Sequence, residues 1–202
     1  MPEEFTMVRM CAPTLAGMKT GSLYNYRYDD RGEMMKAIRG WNRRLRVRGV
    51  CLIPLRYTDH TALIYLFRPE QLRCDLCRAS VSGLLRTHGY DSCRYGQCLA
   101  RLIERLREED TFPHEIGLFL GYPPEDVEGF IQNRAEGFKA VGYWKVYGDA
   151  EAANRTFCKY RKCTELLCRR LRNGEPVERL TTMSHPKITC KTNRRKESNG
   201  DE

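Results

Sequence analysis

What this chain lacks narrows it first. No stretch approaches the ~18 consecutive apolar residues that a bilayer-crossing helix needs; the longest apolar runs, Ala62 to Phe67 and Ile116 to Leu120, are strand-sized. The opening Met-Pro-Glu-Glu-Phe has no basic segment followed by a long apolar one, so no secretory leader is expected and the cytoplasm is the expected location. The metalloprotease pattern H-E-x-x-H and the hydrolase pattern G-x-S-x-G do not occur, nor does a ferredoxin-type cysteine run. Gly17-Met18-Lys19-Thr20-Gly21-Ser22 has the flavour of a phosphate loop but not the order G-x-x-x-x-G-K-[ST]. It therefore excludes a nucleotide-hydrolysing P-loop while leaving room for a looser anion site at Lys19. No internal repeat is present.

The 202 residues suit one domain, and with 41% hydrophobic and 30% charged residues they can build a core. Ten cysteines would suggest disulfides in a secreted chain; without an export signal, free thiols are expected. Cys74 and Cys77 form C-x2-C and Cys93 and Cys98 form C-x4-C, but the first pair sits in a helical pattern and the second has the wrong spacing for a zinc ribbon, so no metal is expected. Cys158, Cys163 and Cys168 are five apart on one helix and diverge around it. The net charge of +9 permits anionic partners. Its arginines cluster at Arg39, Arg43, Arg44, Arg46 and Arg48, and again at Arg161, Arg169, Arg170 and Arg172; a solvated helix face accounts for them, and a basic nucleic-acid-binding module is the alternative.

Periodicity yields an α+β reading. Ser22 to Tyr28 alternates as a strand. Asp29 and Asp30 cap a helix over residues 32–47, whose apolar residues Met34, Ala37, Ile38, Trp41 and Leu45 share a face, and Gly49 stops it. Val50 to Tyr57 and Thr61 to Phe67 form a hairpin. Pro69 opens a helix over 70–87, and a second follows over 93–109. Glu115 to Gly121 reads as a central strand covered on both faces. A helix starts at Pro123–Pro124, Lys139 to Tyr147 reads as a strand, Asp149 caps a long helix to Arg172, and Pro176 to Leu180 reads as a short edge strand. The expectation is a single domain over residues 1–181, one sheet of about five strands covered by helices, then a disordered polar tail over 182–202.

His114 and Glu115, where a loop enters the expected central strand, are the acid–base candidates, because sheet ends commonly carry ligand sites. Their structural alternative is a local hydrogen bond for His114 and an arginine partner for Glu115.

Three stretches together carry a resemblance. They are Cys11-Ala-Pro-Thr-Leu-Ala-Gly-Met-Lys19; Phe112-Pro-His-Glu-Ile-Gly-Leu-Phe-Leu-Gly-Tyr-Pro123 with Asp126-Val-Glu-Gly-Phe130; and Gly142-Tyr-Trp-Lys-Val-Tyr-Gly148 with Lys162-Cys-Thr164. The pattern resembles an uncharacterised bacterial family, common in anaerobes and catalogued as a domain of unknown function (DUF3793). The resemblance supplies no activity or cofactor; by association with flavodoxin and iron-uptake genes it implies redox or iron physiology. Within these stretches Cys11 and Cys163 are candidate thiolates and His114 and Glu115 candidate proton carriers. Lys19 and Lys145 would hold an anionic group, with Ser22 and Lys162 as further ligand contacts. A small ligand-binding or catalytic domain for an anionic substrate is one expectation. A non-catalytic partner of an acidic redox protein such as a flavodoxin is the other, its association steered by charge.

Overall fold

The computed structural model describes residues 3–90, 94–108 and 112–183. The chain begins with α1 (Glu3–Leu15), a helix despite Pro13. Met7, Val8, Cys11, Ala12 and Leu15 are fully buried along one of its faces, a spacing that matches a helix seam. Proline removes one backbone donor in the last turn, and the chain closes that turn otherwise, with Ala16 N–H donating to Ala12 O at 2.9 Å and Met18 N–H to Pro13 O at 2.8 Å.

Three strands make the main sheet: β1 (Gly21–Arg27), β2 (Cys51–Tyr57) and β3 (Thr61–Phe67). The order is β1-β3-β2, all antiparallel, with Gly21 opposite Phe67 and Arg27 opposite Thr61. The β2–β3 register shifts between Pro54 and Arg56, as a proline unable to donate to the ladder requires. Alternation on β3 sends Ala62, Ile64 and Leu66 to one face and Tyr65 and Phe67 to the other, and all five are buried. The first face is covered by α1, α2 (Arg31–Leu45), α8 (Ala150–Arg172) and α9 (Val177–Leu180). The second is covered by α3 (Pro69–Leu76), α4 (Ala79–Thr87), α5 (Tyr95–Glu108), α6 (Ile116–Phe119) and α7 (Pro124–Gln132). Sheet alternation therefore divides the core into two layers. A hairpin, β4 (Ala140–Val141) with β5 (Lys145–Val146), packs its Val146 on Ala153 and Phe157 of α8.

The sheet of about five strands is thus corrected to three, with a separate two-stranded hairpin. The segment expected as a central strand is the short helix α6. A five-residue apolar run carries no period of its own, and here its ends decide. Ile116 N–H donates to Pro113 O at 3.1 Å, and Gly121 takes φ of +77° just past the last turn. Lys139 to Tyr147 is not one strand but folds back on itself through Gly142-Tyr143-Trp144. Pro176 to Leu180 is not an edge strand; Pro176 caps α9 instead. The helix expected over 70–87 is two helices meeting at Cys77–Arg78. Asp30 and Asp149 cap α2 and α8 as expected, accepting from Glu33 N and Ala152 N. Cys11, Cys51, Cys74, Cys158, Cys163 and Cys168 are unbridged.

The ends of the fold meet at Arg68, just after β3. Its side chain is buried, and its guanidinium donates to Thr14 O at 2.7 Å, Leu15 O at 2.6 Å and Thr182 O at 3.0 Å. Thr182 N–H donates to Leu15 O at 3.0 Å, and Thr182 and Met183 are the described residues of the span 182–202. The rest of that expectation, residues 184–202, lies outside the described residues, as does Cys93.

Candidate functional site

Most of the sequence candidates fall into two groups joined through Tyr122; Glu115 and Lys162 belong to neither. The first lies where α1 passes into β1. Cys11 is on the buried seam of α1, Ser22 is the second residue of β1, and Lys19 is on the connection between them. Ser22 Oγ and Thr14 Oγ1 lie 2.8 Å apart, and the Cys11 thiol is hydrogen-bonded to Ser22. The backbone around Lys19 is pinned on both sides. Tyr160 Oη donates to Met18 O at 3.3 Å, Arg68 N–H to Thr20 O at 2.9 Å, and Thr20 Oγ1 to the buried Asp75, whose other oxygen takes Arg78 Nη2 at 2.9 Å. Lys19 keeps only 7% of its surface, and its Nζ lies 4.9 Å from the centre of the Tyr122 ring. No carboxylate among the described residues pairs with it.

Burial acts on this pair in opposite senses. It pushes the Cys11 thiol up to about 12, with Lys19 and Ser22 only partly opposing it. It pulls the Lys19 ammonium down to about 8, with Cys11 partly opposing it. Each shift penalises the charged form, as removal from water does. Cys163 on α8 points its thiol at Ala12 O, 3.7 Å away, and burial raises it too. Both candidate thiols are therefore neutral near pH 7, and the geometry gives no support to a thiolate at either. Lys162, next to Cys163 in the chain, is exposed on α8.

The second group surrounds a cavity of about 170 Å³, partly open to solvent, between α6, α7 and the β4–β5 hairpin. Its walls include Leu120, Tyr122, Val127, Phe130 and Trp144, with His114, Lys145 and the carboxylate of Asp126 as its polar members. His114 is exposed and sets its ring edge-on to Phe130 with centroids 4.9 Å apart. Lys145 Nζ donates to Ala135 O at 2.7 Å and lies 4.7 Å from the Phe138 ring centre. That bond holds a loop in which Arg134 and Ala135 both have positive φ, 49° and 66°, a conformation side chains larger than glycine's rarely adopt.

Two of the residues that build the cavity could not be read from the sequence. Asp126 is buried and accepts from Trp144 Nε1 at 2.6 Å, Tyr147 N at 2.7 Å and Gly148 N at 2.8 Å. It is the peg that fixes the hairpin on α7. Tyr122 donates its Oη to Tyr143 O at 2.9 Å and stacks near Trp144, with centroids 5.0 Å apart. The only sequence signal for either was membership of the familiar stretch around Pro123.

His114 and Glu115 do not act as a pair here. Glu115 is absent from the cavity wall; it is 2% exposed and accepts from Tyr90 Oη at 2.8 Å and Arg105 Nη1 at 2.7 Å. This is the arginine-paired arrangement. Removing one partner of such a buried pair costs about 3–5 kcal/mol, so its role in stability needs no catalytic addition.

Among the described residues no group of three or more His, Cys, Asp or Glu side chains is placed to hold a metal ion. No helix among them is long and apolar enough to cross a membrane.

Fold and site together define a mixed α+β domain: a small antiparallel sheet between two helical layers, with an aromatic cavity and a buried lysine beside it. The chain belongs to the family described as protein of unknown function (DUF3793), which matches residues 7–181. No curated protein and no solved structure matches it.

Proposed function

We propose that this domain acts in the cytoplasm as a receptor for a small organic anion, one flat apolar ring carrying one acidic group. The carrying observation is the cavity itself: about 170 Å³, walled almost wholly by aromatic and aliphatic side chains, with Lys145 the cation beside it. A concave apolar pocket with a few convergent polar groups is the usual form of a small-molecule site. Its volume is enough for one benzene-sized ring, since a cavity of roughly 150 Å³ holds one. Tyr122, Phe130 and Trp144 offer faces and edges for such a ring. Lys145 uses one of its three N–H groups on Ala135 O, which leaves others for a carboxylate. The exposed His114 would stand beside that group. The association with redox or iron physiology rests on the family resemblance alone, and the alternatives of nucleic acid or an acidic protein partner rest on charge alone.

Trp144 lines the cavity and Trp41 packs on the core layer at the opposite face of the sheet, so a Trp41→Phe background leaves one reporting indole. Benzoate, phenylacetate and nicotinate are the probes. At least one is expected to quench Trp144 saturably, with affinity about tenfold weaker in Lys145→Met and near wild type in Lys145→Arg. Absence of saturable quenching by all three, or equal affinity in Lys145→Met, would overturn the reading.

A further inference from the structure

Asp126 is the one carboxylate in the cavity wall among the described residues, and a plain ring acid makes no use of it. It keeps 4% of its surface, so its oxygens are largely shut off from bulk water. They serve the hairpin first. Oδ1 accepts from the backbone N–H of Tyr147 and of Gly148, and Oδ2 accepts from Trp144 Nε1. A carboxylate offers about four acceptor positions on its two oxygens. Both on Oδ1 are taken and one on Oδ2, which leaves Oδ2 able to accept once more. All three donors belong to Trp144, Tyr147 and Gly148, so the group is gripped from the hairpin while it borders the cavity.

We infer that this last position on Oδ2 decides which ring acid the cavity admits: one that also carries a hydroxyl or amino group, which donates to Asp126. The inference rests on the reading of the cavity as a receptor for a ring acid, and it names the class of acid. Opposite charges in the wall orient the ligand. Lys145 draws the acidic group and Asp126 repels it, so the acid lies towards Lys145 and the donor towards Asp126. A ring without a donor fills the same volume but covers Oδ2 with apolar surface. An acceptor buried without a partner is costly, more so when it is charged. Sites built to hydrogen-bond a ligand therefore reject the analogue that lacks the group far more strongly than apolar pockets reject a misfit of size. Asp126 is thus both the peg of the hairpin and the residue that sets specificity, and Trp144 joins the two roles. Its ring is in the cavity wall and its N–H is bonded to the same Oδ2 that would take the ligand's donor.

The test titrates matched ring acids into the full chain by calorimetry: benzoate, meta- and para-hydroxybenzoate, and meta- and para-fluorobenzoate. Fluorine is close to hydroxyl in size but donates nothing. At least one hydroxybenzoate is expected to bind at least about tenfold tighter than the fluorobenzoate of the same pattern. Lys145→Met should weaken both and leave their ratio unchanged. A second readout looks at Oδ2 itself. In the Trp41→Phe background the indole N–H proton resonance belongs to Trp144, which donates to Oδ2. At equal occupancy the hydroxybenzoate should shift it further than its fluoro counterpart, since both rings lie against the same indole. Fluorobenzoates that bind as tightly as hydroxybenzoates, or that shift the indole proton equally, overturn this inference while the reading of the cavity stands. No binding by any of these ring acids overturns both.

Discussion

Burial of a thiol and an amine side by side gives this protein an unusual dependence of stability on pH. Free in the unfolded chain, Cys11 titrates near 9.0 and Lys19 near 10.5; in the fold they move to about 12 and about 8. From about 8 to 9.0, the unfolded chain holds a proton on Lys19 that the native state has released. Stability therefore rises, by about 1.4 kcal/mol per pH unit. From 9.0 to 10.5 the native state in turn keeps a Cys11 proton that the unfolded chain has lost, and the two effects cancel. Above 10.5 only Cys11 differs, and stability falls until about 12. Lys19→Met removes the first rise. It is expected to be more stable than wild type at neutral pH, by up to about 3 kcal/mol, and the gain should vanish as the pH approaches 10.5. Urea denaturation at about pH 7, 8.5 and 10 checks this; a Lys19→Met variant less stable than wild type at pH 7 contradicts it.

At the scale of elements, the contact between α6 and α7 is where the cavity is made or lost. A Cβ at Gly117 would lie 2.7 Å from Val127 Cγ2, closer than packed carbons approach, and both residues line the cavity. Gly117→Ala should therefore push the two helices apart. It should cost about 1–3 kcal/mol and weaken benzoate binding together with stability, read by denaturation and by Trp144 quenching. This junction also marks the limit of what the sequence made legible. Elements with their own period and caps could be read: α2 from Asp30 to Gly49, the β2–β3 hairpin from its alternation, α8 from Asp149 to Gly174. Those whose form is imposed by neighbours could not. The run from Ile116 to Leu120 is apolar throughout and becomes helical because Pro113 and Gly121 bracket one turn. The α1 seam was hidden by a proline in its last turn. Of the site, the polar residues worth naming were visible in the familiar stretches, but their grouping was not. Sequence adjacency suggested His114 with Glu115, whereas the chain turns one to the cavity and the other to Arg105.

Across the whole molecule, Arg68 holds the carbonyls at the end of α1 and at Thr182 to the end of the central strand. Arg68→Met would remove the donor to Thr182 O and one of the donors to Thr14 O and Leu15 O, which keep Gly17 N–H and Thr182 N–H. A buried acceptor left unsatisfied costs about 1–3 kcal/mol and each further lost hydrogen bond about 0.5–1.5 kcal/mol, so a loss of about 2–5 kcal/mol is expected. For a chain of this size that is a fall in Tm of roughly 10 °C, measurable by calorimetry. Arg68→Lys should recover little, because a single ammonium cannot span the three acceptors that the planar fork reaches.

The pairing of α1 with α8, and of Leu15 with Thr182, has a consequence during synthesis. The buried seam of α1, with Met7, Val8, Cys11, Ala12 and Leu15, is matched to a partner made some 150 residues later. Contacts so distant in the chain form late. The nascent chain therefore carries an α1 seam that only the sheet can cover while those residues are made, and this layer closes when α8 and α9 emerge.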